Sequence, residues 1–171
     1  MALSLPLAAA LVVPAAAAAS AGAASAPYCG ITWGSLAKSS GTYSSAPLIA
    51  TRTGKHACFD RLVFEINGPA DGYRVGYTSE VYAGHGQPMS ARTAGGALIG
   101  IEVLAPDVDQ VAHQTYPYAE FDHVANGYDH AAGRNYSIFV VGTRARLPSR
   151  VFVLAGPGSH SRIVLDVAHH W

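Results

Sequence analysis

Residues 58–77 read CFDRLVFEINGPADGYRVGY, and the reading of this stretch decides the fold class. Leu62, Phe64 and Ile66 alternate with Arg61, Val63 and Glu65, so one face of the first segment is apolar with the two-residue period of a strand. Asn67, Gly68, Pro69, Asp71 and Gly72 then supply turn chemistry: glycines for positive φ and a proline that cannot donate to a ladder. Tyr73, Val75 and Tyr77 alternate with Arg74 and Gly76, which gives a second strand. The expectation is a central hairpin, with a cysteine at its start to staple it to a distant part of the chain.

Working outward, other strand-like runs appear on both sides. LIATR (48–52) is a first core strand, with residues 53–57 as a turn into the hairpin, and TSEVY (78–82) continues the second hairpin strand. ALIGIEVL (97–104) is β-branched and stopped by Pro106, which favours a largely buried strand over a helix. YSIFVVG (136–142), VFVL (151–154) and RIVLDV (162–167) complete the set, with Ile163, Leu165 and Val167 on one face of the last. Residues 39–47 read as a Ser/Gly/Pro loop, and 105–134 show no clean period. About seven short strands separated by turn signals imply an all-β protein, a β-sandwich.

Composition narrows the function classes. Of 171 residues, half are hydrophobic and 13% charged, which suits a packed core. Eleven basic residues balance eleven acidic ones and form no Lys/Arg run along the sequence, so no nucleic-acid partner is expected, since such binding needs a basic patch. Residues 1–26 carry no charge and are dominated by alanine after an apolar start, as in a secretory signal peptide. No Lys or Arg precedes the apolar run, so the true start is expected upstream. The rival reading is a retained membrane anchor, although Pro6 and Pro14 interrupt it. If the segment is cleaved, no membrane span remains. In an oxidising compartment Cys29 and Cys58 are most simply a disulfide, closing a loop worth ~3–4 kcal/mol of chain entropy. Residues 27–47 then form a tethered arm and loop, and 169–171 a frayed tail.

Three segments together resemble a known family. TGKHACFDRLVFE (53–65), GP (68–69) with GYRV (72–75), and RVF (150–152) with RIVLDV (162–167) are similar to the AMIN-like domain of exported actinobacterial proteins, over residues 48–168. The resemblance implies a non-catalytic β-sandwich module that sits in the cell envelope and binds peptidoglycan or another wall polymer. Where such modules accompany an amidase, the catalytic domain is separate.

The candidate ligand-binding residues are Arg52, Asp60, Arg61 and Arg74, on or beside the hairpin, with Tyr116 and Tyr118 in the long segment. Arginine and aspartate suit sugar hydroxyls and carboxylates, and tyrosine faces suit sugar rings. The plainer reading makes Asp60 and Arg61 a strand-end ion pair and Tyr73 and Tyr77 core residues. Asp107, Asp109 and His113 lack the ligand number of a calcium loop, so a solvated loop is expected there. His169 and His170 are adjacent, and on a strand they point to opposite faces. Neither a G-x-S-x-G elbow nor an H-E-x-x-H motif is present. No catalytic residue, metal or cofactor is therefore expected. Two other classes stay open: a small secreted hydrolase using residues 105–134, and an interaction domain that adds a partner strand or envelope protein to an exposed sheet edge.

Overall fold

The structure is a computed structural model that describes residues 27–81, 88, 93, 95–107, 121–129 (backbone only) and 136–171. It is all-β, with no helix among the described residues. The strands are β1 (Lys38–Ser40), β2 (Leu48–Lys55), β3 (Phe59–Ile66), β4 (Tyr73–Thr78), β5 (Ala97–Val103), β6 (Phe121–Asp129), β7 (Tyr136–Thr143), β8 (Ser149–Ala155) and β9 (Ser161–Ala168). They form two antiparallel sheets, one in the order β1-β4-β5-β7-β6 and the other β2-β3-β9-β8.

The sandwich follows from the alternation. Leu62, Phe64, Ile66, Ile163, Leu165 and Val167 point inward from the four-stranded sheet, and Val75, Ile99, Ile101, Val103, Phe139 and Val141 from the other. Phe64 and Phe139 meet between the layers with ring centroids 4.5 Å apart.

The expected hairpin is not one. β3 and β4 lie in opposite sheets, and residues 67–72 carry the chain from one layer to the other as an arch. Two-residue alternation identifies a strand and its buried face, but not the neighbour it pairs with, and six linking residues span the ~10 Å between packed sheets. The arch is anchored by Asn67 N–H to the Pro47 carbonyl (2.9 Å) and Ala70 N–H to the Ser161 hydroxyl (3.0 Å). Gly72 is required there, because a Cβ would strike the Thr42 carbonyl and lie 2.8 Å from the Leu104 Cβ. The actual hairpin is β2–β3, and residues 53–55, expected as a turn, are strand.

Other boundaries shift for similar reasons. β1 overlaps the start of the expected 39–47 loop because the β4 edge supplies its hydrogen-bond partners. β6 forms within the patternless 105–134 segment against β7. β4 ends at Thr78, whose hydroxyl donates to the Glu80 carbonyl (2.8 Å) instead of continuing toward residue 82.

Both ends of the described chain are packed. The Cys29–Cys58 disulfide is formed, with its Cα atoms 6.4 Å apart. Trp33 is buried and donates its indole N–H to the Tyr28 carbonyl at 3.0 Å. Gly34 pairs with Ser149, so the arm extends the β8 edge. The expected frayed tail is docked: His169 is buried, and its N–H donates to the Cys58 carbonyl (2.9 Å). The Trp171 indole donates to the Arg146 carbonyl (2.8 Å). Asp107, expected in a solvated loop, is buried and bridges Leu48.

Candidate functional site

The outward faces of the two sheets carry different chemistry. On the four-stranded sheet, register places Asp166 on β9 between Arg61 on β3 and Arg150 on β8. The Asp166 side chain is fully buried and accepts from both arginines. Arg61 contributes Nε at 2.7 Å and an Nη at 2.9 Å, and Arg150 contributes Nε at 2.8 Å. The Asp166 hydrogen bonds hold the Arg61 guanidinium charged above its ordinary range. Each guanidinium also lies over aromatic rings: Arg61 over Phe59 (5.2 Å) and Phe152 (5.5 Å), and Arg150 over Phe152 (5.0 Å) and Trp33 (5.5 Å). Arg52 pairs with Glu65, which also meets His160 Nδ1 at 2.8 Å. The His160 hydrogen bond, helped by Arg52, holds the Glu65 carboxyl below the usual carboxylate range despite burial.

The five-stranded sheet carries a groove of about 590 Å³ on its outer face. Gly76 on β4 and Gly100 on β5 are cross-strand partners, and both line its floor. Arg74 and Glu102 form an exposed ion pair at 2.7 Å on one flank, with Tyr136 and Ile138 on another and Ser39 of β1 at the edge. Hydrogen bonds to Tyr43 and Glu102 raise the Arg74 pKa, so the guanidinium stays charged. Tyr43 packs edge-on against Tyr136 at 6.1 Å. The groove therefore offers a fixed cation–anion pair beside aromatic rings, a surface suited to hydrogen-bonding and stacking against a sugar or peptide chain.

The expected site residues are thus dispersed. Arg52 and Arg61 share the four-stranded face, whereas Asp60 points the other way, into the interior, where His169 Nε2 lies 3.4 Å from it. Arg74 belongs to the groove on the opposite sheet. Tyr116 and Tyr118 lie outside the described residues, as do Asp109 and His113. Arg150, Arg162, Asp166 and Tyr136 were missed; the alternation that puts Arg162 and Asp166 on the polar face of the last strand was the available signal. The Lys38 amine lies 3.4 Å from the Ser149 hydroxyl, but it donates to the Gly34 and Leu36 carbonyls as well, which suits an ammonium anchor and not a free base. Among the described residues, no three His, Cys, Asp or Glu side chains gather as a metal cluster, and no helix is long and apolar enough to cross a membrane.

No curated protein and no solved structure matches the chain. The family model of the AMIN-like domain matches residues 46–169, a span that begins just before β2 and ends just after β9. The chain belongs to the AMIN-like domain family.

Proposed function

We propose that this chain is an exported, non-catalytic binding module of the cell envelope, and that the groove over Gly76 and Gly100 takes a wall polymer, with peptidoglycan as the first candidate. Family membership points to an envelope-associated module, and the disulfide is consistent with an oxidising, exported setting. The observation that carries the ligand reading is the groove itself: an open surface cleft with polar and aromatic walls, suited to hydrogen-bonding and stacking against a sugar or peptide unit. In this reading residues 1–26 direct export, 27–47 form the stapled arm, and 48–168 are the binding module.

Cosedimentation of the protein with insoluble peptidoglycan tests the binding. Retention in the pellet at low salt is expected, reduced in Arg74→Ala and Tyr136→Ala. A protein left in the supernatant would sink the reading. Fractionation of wall, membrane and medium with an intact mass tests export: a wall-associated product shorter by about two dozen residues is expected from signal cleavage. Full-length protein in membranes alone would make residues 1–26 an anchor.

One observation favours a second reading. β8 is the last strand of its sheet, and Val153 and Leu154 on it are exposed. An extended segment of an envelope protein could add there as a further strand. Crosslinking from position 154 to a protein and not to wall material would favour it.

A further inference from the structure

The outer face of the four-stranded sheet holds a second site, independent of the groove. We infer that this face binds a linear phosphate-bearing polyanion, gripped at the Arg61–Asp166–Arg150 triad. Two guanidiniums share one buried carboxylate, so the triad keeps one uncompensated positive charge. Within the described residues, the Nη1 groups of both arginines make no hydrogen bond, and both side chains are partly open to solvent, at 26% and 33%. The aromatic rings of Phe59, Phe152 and Trp33 hold the two guanidiniums in place, so little side-chain entropy remains to be lost when a ligand arrives.

The excess charge extends beyond the triad. Register puts Arg52, Arg61, Arg150 and Arg162 on this one face against only Glu65 and Asp166. The chain as a whole is neutral, so positive charge is concentrated here. Arg162 has a buried Nε with no protein hydrogen-bond partner, and its Nη2 reaches only the Ala155 carbonyl at 3.4 Å. Strand geometry sets Arg61 and Arg150 roughly 10 Å apart at Cα, and Arg162 about 13 Å along β9 from Asp166. Cations at such separations suit a chain of repeated charges better than a single small ion. Arginine forks match phosphate oxygens in a bidentate fashion, and a chain of repeated phosphates presents such acceptors at regular intervals.

The test uses inorganic polyphosphate, with polyglutamate of matched charge as comparison, and binding to the full protein is followed by calorimetry at 50 and 300 mM salt. Expected results are binding of polyphosphate at 50 mM salt, a loss of at least about tenfold at 300 mM, and weaker binding of polyglutamate. Arg150→Gln and Arg61→Gln should each weaken polyphosphate binding about tenfold, because a charge-assisted contact to the anion is lost. Arg146→Gln removes the same charge elsewhere and should change it less than twofold. In both triad variants Asp166 keeps one arginine; should either fail to fold, Arg162→Gln, which lies outside the triad, is expected to weaken binding several-fold. No binding at 50 mM salt would overturn the inference, as would equal losses in Arg146→Gln and Arg150→Gln. Polyglutamate bound as tightly as polyphosphate would overturn the assignment to phosphate. Peptidoglycan retention by the groove can fail without affecting any of these outcomes.

Discussion

Gly76 on β4 stands directly opposite Gly100 on β5, and Ala37 and Val81 come close to the backbone where side chains at these two positions would otherwise stand. Glycine inside a strand is unfavourable for backbone entropy and packing, so a facing pair marks a place where something must approach the backbone closely. A Cβ at Gly100 would lie 3.1 Å from the Val81 Cγ2 and 3.3 Å from the Thr78 Cγ2, tight contacts with two β-branched side chains that must give by a few tenths of an ångström.

Gly100→Val should narrow the groove by displacing Val81 and Thr78 at its wall, at a modest cost to the fold. The expected outcome is a melting temperature within a few degrees of the parent, since valine suits a strand, with peptidoglycan retention reduced at least about tenfold. Differential scanning calorimetry and cosedimentation on the same preparation check both halves. Unchanged retention would place the ligand elsewhere.

The arch between β3 and β4 makes a separate prediction. In an exposed hairpin loop, Gly72→Ala would be nearly neutral. Here the added methyl meets the Thr42 carbonyl and the Leu104 side chain, so the variant should lose about 1–3 kcal/mol, the usual cost of overpacking. Urea unfolding measures it. Phe64→Ala, which removes the ring that meets Phe139 across the core, is expected to cost more, about 3–5 kcal/mol.

The strands were legible from the alternation of residues such as Leu62, Phe64 and Ile66, because inward positions in a sandwich must be apolar whichever neighbour they pair with. Pairing was not legible. Nothing local distinguishes a hairpin from an arch at 67–72, and nothing within 105–134 shows that β6 completes a sheet. The same gap explains the site. Arg61 could be picked out from its own segment, but its partner Asp166 is 105 residues away, and only the β3–β9 register joins them. One error was avoidable: Asp60 and Arg61 are consecutive in a strand and must face opposite ways, so they could not serve one surface. The buried arm and tail were hidden for a physical reason as well. Trp33 packs against Phe59 and His169 lies beside Asp60, contacts with a distant strand that no local pattern records.

The disulfide should matter to the arm as well as to overall stability. Cys29 and Cys58 are 29 positions apart, and the chain-entropy account of such a loop gives ~3–4 kcal/mol of stabilisation. Cys29→Ser with Cys58→Ser is expected to lower the urea midpoint accordingly. Trp33 packs against Phe59, the residue after Cys58, so its fluorescence should shift toward that of an exposed indole at denaturant concentrations where the parent is still native. Coincident loss of tryptophan and far-ultraviolet signals in the variant would show instead that the arm does not loosen independently.

Acid should weaken the β2–β3–β9 face through Glu65. Its carboxyl lies between Arg52 and His160, with Arg162 as its cross-strand neighbour on β9. The His160 hydrogen bond, then Arg52, depress its folded-state pKa against the opposing effect of burial. A carboxyl with a folded pKa below its unfolded value, about 4.3, adds stability above pH ~4.3, and that stability is lost as pH falls through the folded value. Urea titrations between about pH 6 and pH 3 should show falling stability on the acid side, and Glu65→Gln should flatten that part of the curve. Parallel curves for the parent and Glu65→Gln below pH ~4.3 would mean that Glu65 holds the same proton affinity folded and unfolded, and that the contact with His160 contributes nothing to acid sensitivity.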